Sequence, residues 1–266
     1  MCGIVGIVST KSCVNEVTNC LKSLEYRGYD SAGIAIINQN KIIEKKSVGR
    51  IADLERKINK NNCKGNTVIG HTRWATHGKP SLKNCHPFVK STCALVHNGI
   101  IENFEDIKKL LKLNNKNIKS DTDSEVIAEA FNIFIKNDNN IIKNIINISK
   151  KIKGTYSFAF LVKENNAIYG TRKGSPLVLG VGDNFNSISS DVLGLPNNTK
   201  EIIFLEENDI FEISSNKFII FNSKGKKVTR PSHPYISKKD FNTKGKFSHF
   251  MQKEIFHQPV SIEDTI

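Results

Sequence analysis

The chain is short of the residues that staple a fold or span a membrane. It has six cysteines in 266 residues, none in a C-x-x-C pair, too few for a disulfide-built scaffold. They are read as free thiols in a reducing compartment. No stretch approaches the roughly 20 apolar residues a membrane-spanning helix needs, and Met1–Ser9 lacks the basic region and long apolar run of a secretory signal. A cytoplasmic protein without membrane contact is expected. Arginine is scarce as well: only Arg27, Arg50, Arg56, Arg73, Arg172 and Arg230 among 39 basic residues. The net charge of +13 would suit nucleic acid, but the basic residues are spread along the chain. Arginine makes the commonest specific base contact, and no aromatic-rich basic motif is present. Nucleic-acid binding is therefore not expected; a wealth of Lys, Asn and Ile, whose codons are A/T-rich, accounts for the charge.

With 38% hydrophobic and 24% charged residues, the chain has enough apolar surface for one large domain or two small ones. Gly3–Val8 is a short apolar run and predicts a strand. Val14, Val17, Leu21 and Leu24 recur at helical spacing within residues 12–25. Ile34–Ile37 and Ile42–Lys46 predict a hairpin joined by Asn38-Gln39-Asn40. Thr67–His71 and Thr92–His97 predict strands flanking a long loop rich in Gly, Pro and His, and loops that long are usually functional. Helices follow near Asn103, which can cap the first, then from Asp121–Ser124, then over residues 140–152 up to Gly154. Strands are predicted at Tyr156–Val162, Ala167–Thr171, Leu177–Gly180, Ile202–Leu205, Ile210–Ile213 and Lys217–Phe221. Strands outnumber helices and cluster by type, so the class is α+β with antiparallel sheets. The polar stretch Pro231–Gly245 reads as a linker and His249–Gln258 as the start of another helix. The expected division is residues 2–230 as one domain and 231–266 as linker and the start of a further part of a longer protein.

Cys2 follows the initiator methionine. Loss of Met1 would place a thiol and a free α-amine on one residue, and an α-amine with a pKa of about 7.7–8.0 suits a general base. Position alone favours a small buried residue opening a strand; partners would be needed to make it a nucleophile. In His97-Asn98-Gly99, Asn98 offers a side-chain N–H and Gly99 a backbone N–H unobstructed by Cβ, as an oxyanion needs. Asn-Gly is also the strongest short hairpin signal, and taken on its own the dipeptide reads as that turn. Arg73 carries the planar fork that holds a carboxylate bidentately. It lies beside Trp74, the only tryptophan, with Thr76 and His77 as further donors. Asp123 is either an N-cap or an acceptor for a substrate ammonium.

These residues also carry a resemblance. Cys2–Gly6, Glu25–Gly33, His71–Gly78, His97–Asn103, Ser120–Glu125, Gly174–Leu177, Ser189–Asp191, Phe204–Glu207 and Phe250–Ile255 resemble, in order, the glutaminase domain of the glucosamine-6-phosphate synthase family. That family comprises the isomerizing glutamine–fructose-6-phosphate aminotransferases, class II, N-terminal-nucleophile amidotransferases. The resemblance implies a four-layer αββα sandwich of two antiparallel sheets. It implies that Cys2 attacks the L-glutamine side-chain amide, that Asn98 and Gly99 form the oxyanion hole, and that Arg73, Thr76 and His77 hold the α-carboxylate. Asp123 would take the α-ammonium, Trp74 would gate the ammonia route, and Arg27 would support the nucleophile. No metal or other cofactor is implied. The implied partner is a phosphosugar isomerase half that binds fructose 6-phosphate, with a second copy of the chain in the full-length enzyme. Cys85 replaces a small residue. The purine-pathway phosphoribosyl amidotransferases remain an alternative, although Arg73–Thr76 and Met251–Glu254 favour the hexosamine enzyme. Cys63, His71, His77, Cys85, His86, Cys93 and His97 leave a metal-binding module open, though no close cysteine pair accompanies them.

Overall fold

β1 (Gly3–Ser9) is apolar at almost every position because both its faces are covered. In the computed structural model, which describes residues 2–60, 63–75, 78–113, 117–235 and 246–263, it is a central strand of the first of two units, Met1–Tyr235 and Ile236–Ile266. The chain continues through α1 (Val14–Ser23), β2 (Ser31–Asn38), β3 (Lys41–Val48), α2 (Ile51–Lys60), β4 (Thr67–Arg73), β5 (Phe88–Val89) and β6 (Cys93–Ile101). Three helices follow, α3 (Phe104–Leu110), α4 (Asp123–Asn137) and α5 (Ile141–Ser149). Then come β7 (Gly154–Val162), β8 (Ile168–Lys173), β9 (Val178–Gly182), β10 (Phe185–Ser189) and β11 (Thr199–Phe204). β12 (Ile210–Ile213), β13 (Phe218–Phe221), β14 (Lys227–Val228) and β15 (Ser232–Pro234) complete the first unit, and α6 (Phe250–Glu263) lies in the second.

The strands form two sheets. One has eight strands, in the order β15-β11-β9-β10-β1-β4-β2-β3, and the other seven, in the order β14-β13-β12-β8-β7-β6-β5. Every pairing is antiparallel. Successive side chains point to opposite faces of a strand, and the packing follows that period. Ile4 and Val8 pack between the sheets with Ile69, Ala94, Val96, Ala159 and Leu161. Val5 and Ile7 pack on the other face against Val17 and Leu21 of α1 and Leu54 of α2. The outer face of the second sheet, with Leu95, Phe158 and Phe160, is covered by Val126, Ile127 and Phe131 of α4 and Ile145 of α5. The layers are therefore helix, sheet, sheet, helix, and the class is α+β as expected. Each fully buried Leu or Phe in them contributes about 1.5–3 kcal/mol.

Several local expectations change. α2 is not foreseen by the sequence reading; Ile51, Leu54 and Ile58 form its buried stripe. β10 is likewise unforeseen. It pairs with β1 over Val5↔Ser189 to Ser9↔Phe185. The hairpin is present, with Gln39 and Asn40 both at positive φ, as a tight hairpin turn requires. Asn103 sits at the cap position of α3, but its side chain makes no cap bond; it reaches Lys151 O and Lys153 N instead. Asn140 does cap α5, accepting from Lys143 N. Ser232–Pro234, expected as linker, pairs with β11, so the first unit closes at Tyr235 rather than residue 230.

Candidate active site

Cys2 stands at the entrance to β1, whose start is pinned from β10. Ile4 N donates to Ser190 Oγ at 3.0 Å and Ser190 N to Ile4 O at 3.1 Å. The Cys2 thiol is half-buried against the backbone of Trp74. Trp74 N–H donates to Sγ at 3.3 Å, and Sγ–H faces Trp74 O at 3.6 Å. Burial pushes the thiol pKa up; the Trp74 N–H and the Arg73 and Arg27 charges oppose it.

The Arg27–Asp30 loop holds the Trp74 segment in place. Asp30 N donates to Arg73 O at 3.1 Å, and Ala75 N donates to Asp30 Oδ2 at 2.8 Å. A Cβ on Gly28 would lie 2.6 Å from Arg73 C, so only glycine lets the two loops touch. Arg27 is buried and anchored to Asp191 Oδ2 at 2.9 Å and Ser190 O at 3.3 Å. Trp74, 45% exposed, meets the ring of Tyr29 at 5.9 Å.

The Asn98-Gly99 hairpin is not formed. Both residues lie inside β6, opposite Ser157 and Tyr156 of β7. Gly99 has φ +121, and a Cβ there would meet Thr155 O at 2.1 Å. The dipeptide thus marks a strand position that only glycine fits rather than a turn. Asn98 Nδ2 donates to Cys2 O at 3.1 Å, joining β6 to the start of β1 across the sheets.

Behind Asn98 lies a cluster the sequence reading did not place in the site. His71 of β4 contacts Asn98 Oδ1 at 3.1 Å and His97 O at 3.0 Å through Nε2. It stacks on His86 at 4.1 Å, and His86 Nδ1 accepts from His97 N at 3.3 Å. His97 Nδ1 lies 2.8 Å from Ser124 Oγ, which donates to Asp123 Oδ1 at 3.2 Å. With the single hydroxyl proton on Asp123, His97 donates through Nδ1. Burial lowers the pKa of all three histidines, that of His71 to about 3; for His97 the Asp123 charge opposes the shift. All three are neutral at pH 7. The only sequence signal for the cluster was the density of His and Cys, which also left a metal-binding module open against an unfavourable spacing. Cys93 packs under α4, Cys63 against the cluster beneath α1 and α2, and Cys85 is buried with Sγ facing Ala32 O at 3.3 Å and His86 O at 3.2 Å. Among the described residues no three His, Cys, Asp or Glu side chains converge to hold a metal.

Asp123 is the first residue of α4, with Thr122 at the cap position. Its Oδ2 accepts from Ile101 N at 2.8 Å, two residues beyond Gly99. Arg73 is buried, and its Nη2 donates to Gly78 O at 3.3 Å. Asn84 then ties this loop to the turn before Asp123. Its Nδ2 donates to Lys79 O at 3.1 Å and Asp121 Oδ2 at 3.2 Å, and its Oδ1 accepts from Asp121 N at 3.0 Å. Cys2, Asn98, Gly99, Arg73, Trp74, Arg27 and Asp123 are thus linked through neighbouring elements. Thr76 and His77 lie outside the described residues.

Residues 71–192 match the model of the glutamine amidotransferase domain family. The whole chain aligns with the isomerizing glutamine–fructose-6-phosphate aminotransferases of Francisella tularensis, at 43% identity over 269 residues, and of Aquifex aeolicus, at 41% over 271 residues. It covers 44% and 45% of those proteins, so it spans less than half the length of the curated relatives it matches. Among solved structures it is similar to the glutamine phosphoribosylpyrophosphate amidotransferase of B. subtilis, with a TM-score of 0.62 and 23% identity over 89% of this chain and 50% of that one. It is similar in fold to a class-II glutamine aminotransferase domain protein of Silicibacter pomeroyi, with a TM-score of 0.54 and 15% identity over 83% of this chain and 98% of that one. No helix among the described residues is long and apolar enough to cross a membrane.

Proposed function

Since the chain belongs to the class II glutamine amidotransferase family, we propose that it hydrolyses the side-chain amide of L-glutamine with Cys2 as nucleophile. Cys2 Sγ adds to the amide carbonyl carbon, and the α-amine freed by loss of Met1 takes the thiol proton. The carbonyl oxygen becomes an oxyanion, met by Asn98 and the Gly99 N–H. Collapse breaks the C–N bond; the nitrogen takes the proton back and leaves as ammonia, and a glutamyl thioester remains on Cys2. Water then adds to the thioester, and the second collapse releases glutamate and restores the thiol. Arg73, Thr76 and His77 hold the α-carboxylate, Asp123 the α-ammonium, and Arg27 steadies the loop around the nucleophile. Neither metal nor cofactor takes part.

One observation carries this reading: the Asn98 amide nitrogen lies 3.1 Å from the carbonyl of Cys2 itself. Nucleophile and oxyanion donor come from different sheets and meet only in the fold. The named relatives act on fructose 6-phosphate, and this chain spans less than half of them. The released ammonia is proposed to pass Trp74 to a cytoplasmic phosphosugar isomerase half, in an enzyme that pairs two copies, to aminate fructose 6-phosphate. The hydrolytic domain is proposed to end near Tyr235, with the following segment leading toward that half.

The test is glutamate release from glutamine by the purified protein beside its Cys2→Ala variant. Release falls by about 10³-fold or more in the variant, as expected when a nucleophile is lost, while circular dichroism is unchanged. Comparable release by Cys2→Ala would remove Cys2 from the chemistry. Loss of fold would make its role structural.

A further inference from the structure

If Asn98 is the oxyanion donor of the glutaminase reading, the orientation of its amide decides whether it can work. An asparagine amide donates at one end and accepts at the other. Residues two apart share a strand face, so His71 and Arg73 follow Ile69 on the face of β4 that meets the second sheet. His71 is 1% exposed, and its Nε2 contacts both His97 O and Asn98 Oδ1. A backbone carbonyl only accepts, so Nε2 carries the proton and the Asn98 oxygen is the end that faces it. The reversed amide would set NH₂ against an N–H and oxygen against the Cys2 carbonyl, and both contacts would repel.

The ring itself is held. It lies stacked on His86 at 4.1 Å and 14° between planes. Its Nδ1 is buried and finds no hydrogen-bond partner among the described residues, an environment for a bare lone pair and not for a second N–H. Burial holds the imidazole neutral down to a pKa of about 3. One Asn98 N–H is used on Cys2 O. The second has no partner among the described residues.

We propose that His71 is a positioning residue for glutamine hydrolysis: by donating Nε2–H to Asn98 Oδ1 it aims the amide nitrogen at Cys2 and leaves the second N–H to meet the oxyanion. His71 touches no substrate atom and acts only through Asn98.

His71→Phe keeps a ring on His86 and deletes the donor; His71→Gln keeps a donor. His71→Phe is expected to lower kcat about 10- to 100-fold with the glutamine KM within about threefold, since losing an oxyanion donor outright costs ~10²–10³. His71→Gln recovers most of it. Alkylation of Cys2 by iodoacetamide, a displacement at saturated carbon that forms no oxyanion, keeps its wild-type rate in both. In an Asn98→Ala background His71→Phe costs nothing further, because neighbours acting as a unit are non-additive. An unchanged kcat in His71→Phe overturns the proposal. So does an equal loss in the Asn98→Ala background, or a loss of alkylation in step with kcat. If His71→Phe does not fold, ¹⁵N-histidine NMR of the wild-type protein decides. It should show the Nε2–H form for His71 with no titration between about pH 5 and pH 8, and an Nδ1–H form or a midpoint in that range overturns the proposal. Absence of glutamate release by the wild-type protein would instead refute the glutaminase reading, with the NMR still deciding what His71 does to Asn98.

Discussion

Arg73 is an arginine in a chain that mostly uses lysine, and it is 4% exposed beside the Cys2 loop. Lysine would carry the same charge, but as a point and not a fork. If Arg73 holds the glutamine carboxylate, Arg73→Lys raises the glutamine KM about tenfold, a loss of roughly 1.4 kcal/mol of binding, with kcat changed little. Steady-state kinetics check this, and an unchanged KM would take Arg73 out of the carboxylate clamp. The residues proposed for the chemistry were legible because their types are uncommon where they stand: a Cys after Met1, a rare Arg, an Asn-Gly at a strand end. Their partners were not legible. That His71 stacks on His86, that His86 accepts from His97 N, and that His71 reaches Asn98 depends on which strand faces lie between the sheets. The density of His and Cys alone left a metal-binding module open, though the spacing offered no close cysteine pair.

At the scale of elements, β6 decides whether Asn98 and Gly99 are placed at all. The sequence reading ended this strand at His97, because Asn-Gly ordinarily turns the chain. In the fold the ladder with β7 runs on to Ile101↔Gly154, and Gly99 absorbs the misfit at φ +121. Gly99→Ala would bring a methyl to 2.1 Å from Thr155 O and force β6 off β7 beside Cys2. Positive-φ strain alone costs about 1–3 kcal/mol. A drop in unfolding free energy of at least that size is therefore expected, together with loss of glutamine hydrolysis. Wild-type stability in urea would show that β6 tolerates the methyl and that no strain is stored there. Elements with a broad apolar signature, such as β1, α1, the β2–β3 hairpin, α4 and α5, were readable from periodicity. α2 was not, because its buried stripe is only Ile51, Leu54 and Ile58. Nor was β10, whose Asn186, Ser187 and Ser189 look like loop residues but are buried beside the neighbouring strands.

For the whole molecule, the three histidines join the two sheets: His71 on β4 of one, His97 on β6 of the other, and His86, just before β5, stacked on His71 and accepting from His97 N. Each has its folded-state pKa pushed below the ordinary value of 6.5, first of all by burial, His71 to about 3. Below pH 6.5 the unfolded chain therefore binds protons that the folded chain refuses. The stabilisation is complete above 6.5 and is lost as the pH falls toward 3. Each such proton lowers the unfolding free energy by about 1.4 kcal/mol per pH unit, so the three together reach up to about 4. Glu125 adds a second loss in stronger acid. Burial raises its pKa, but hydrogen bonds from Lys90 and Ser120 outweigh this and hold the carboxyl below its ordinary 4.5, so its contribution disappears below that pH. The net charge of +13 also destabilises the fold in acid, but exposed charges are screened by salt and buried histidines are not. Urea unfolding at about pH 7.5, 6.5 and 5.5 in high salt separates the two. Stability should fall about three times as far across the second interval as across the first, by more than about 1 kcal/mol in the second. A curve that stays level to pH 5.5 in high salt would mean that these histidines take up protons without opening the sheets, and the interface between β4 and β6 would then be far softer than its packing indicates.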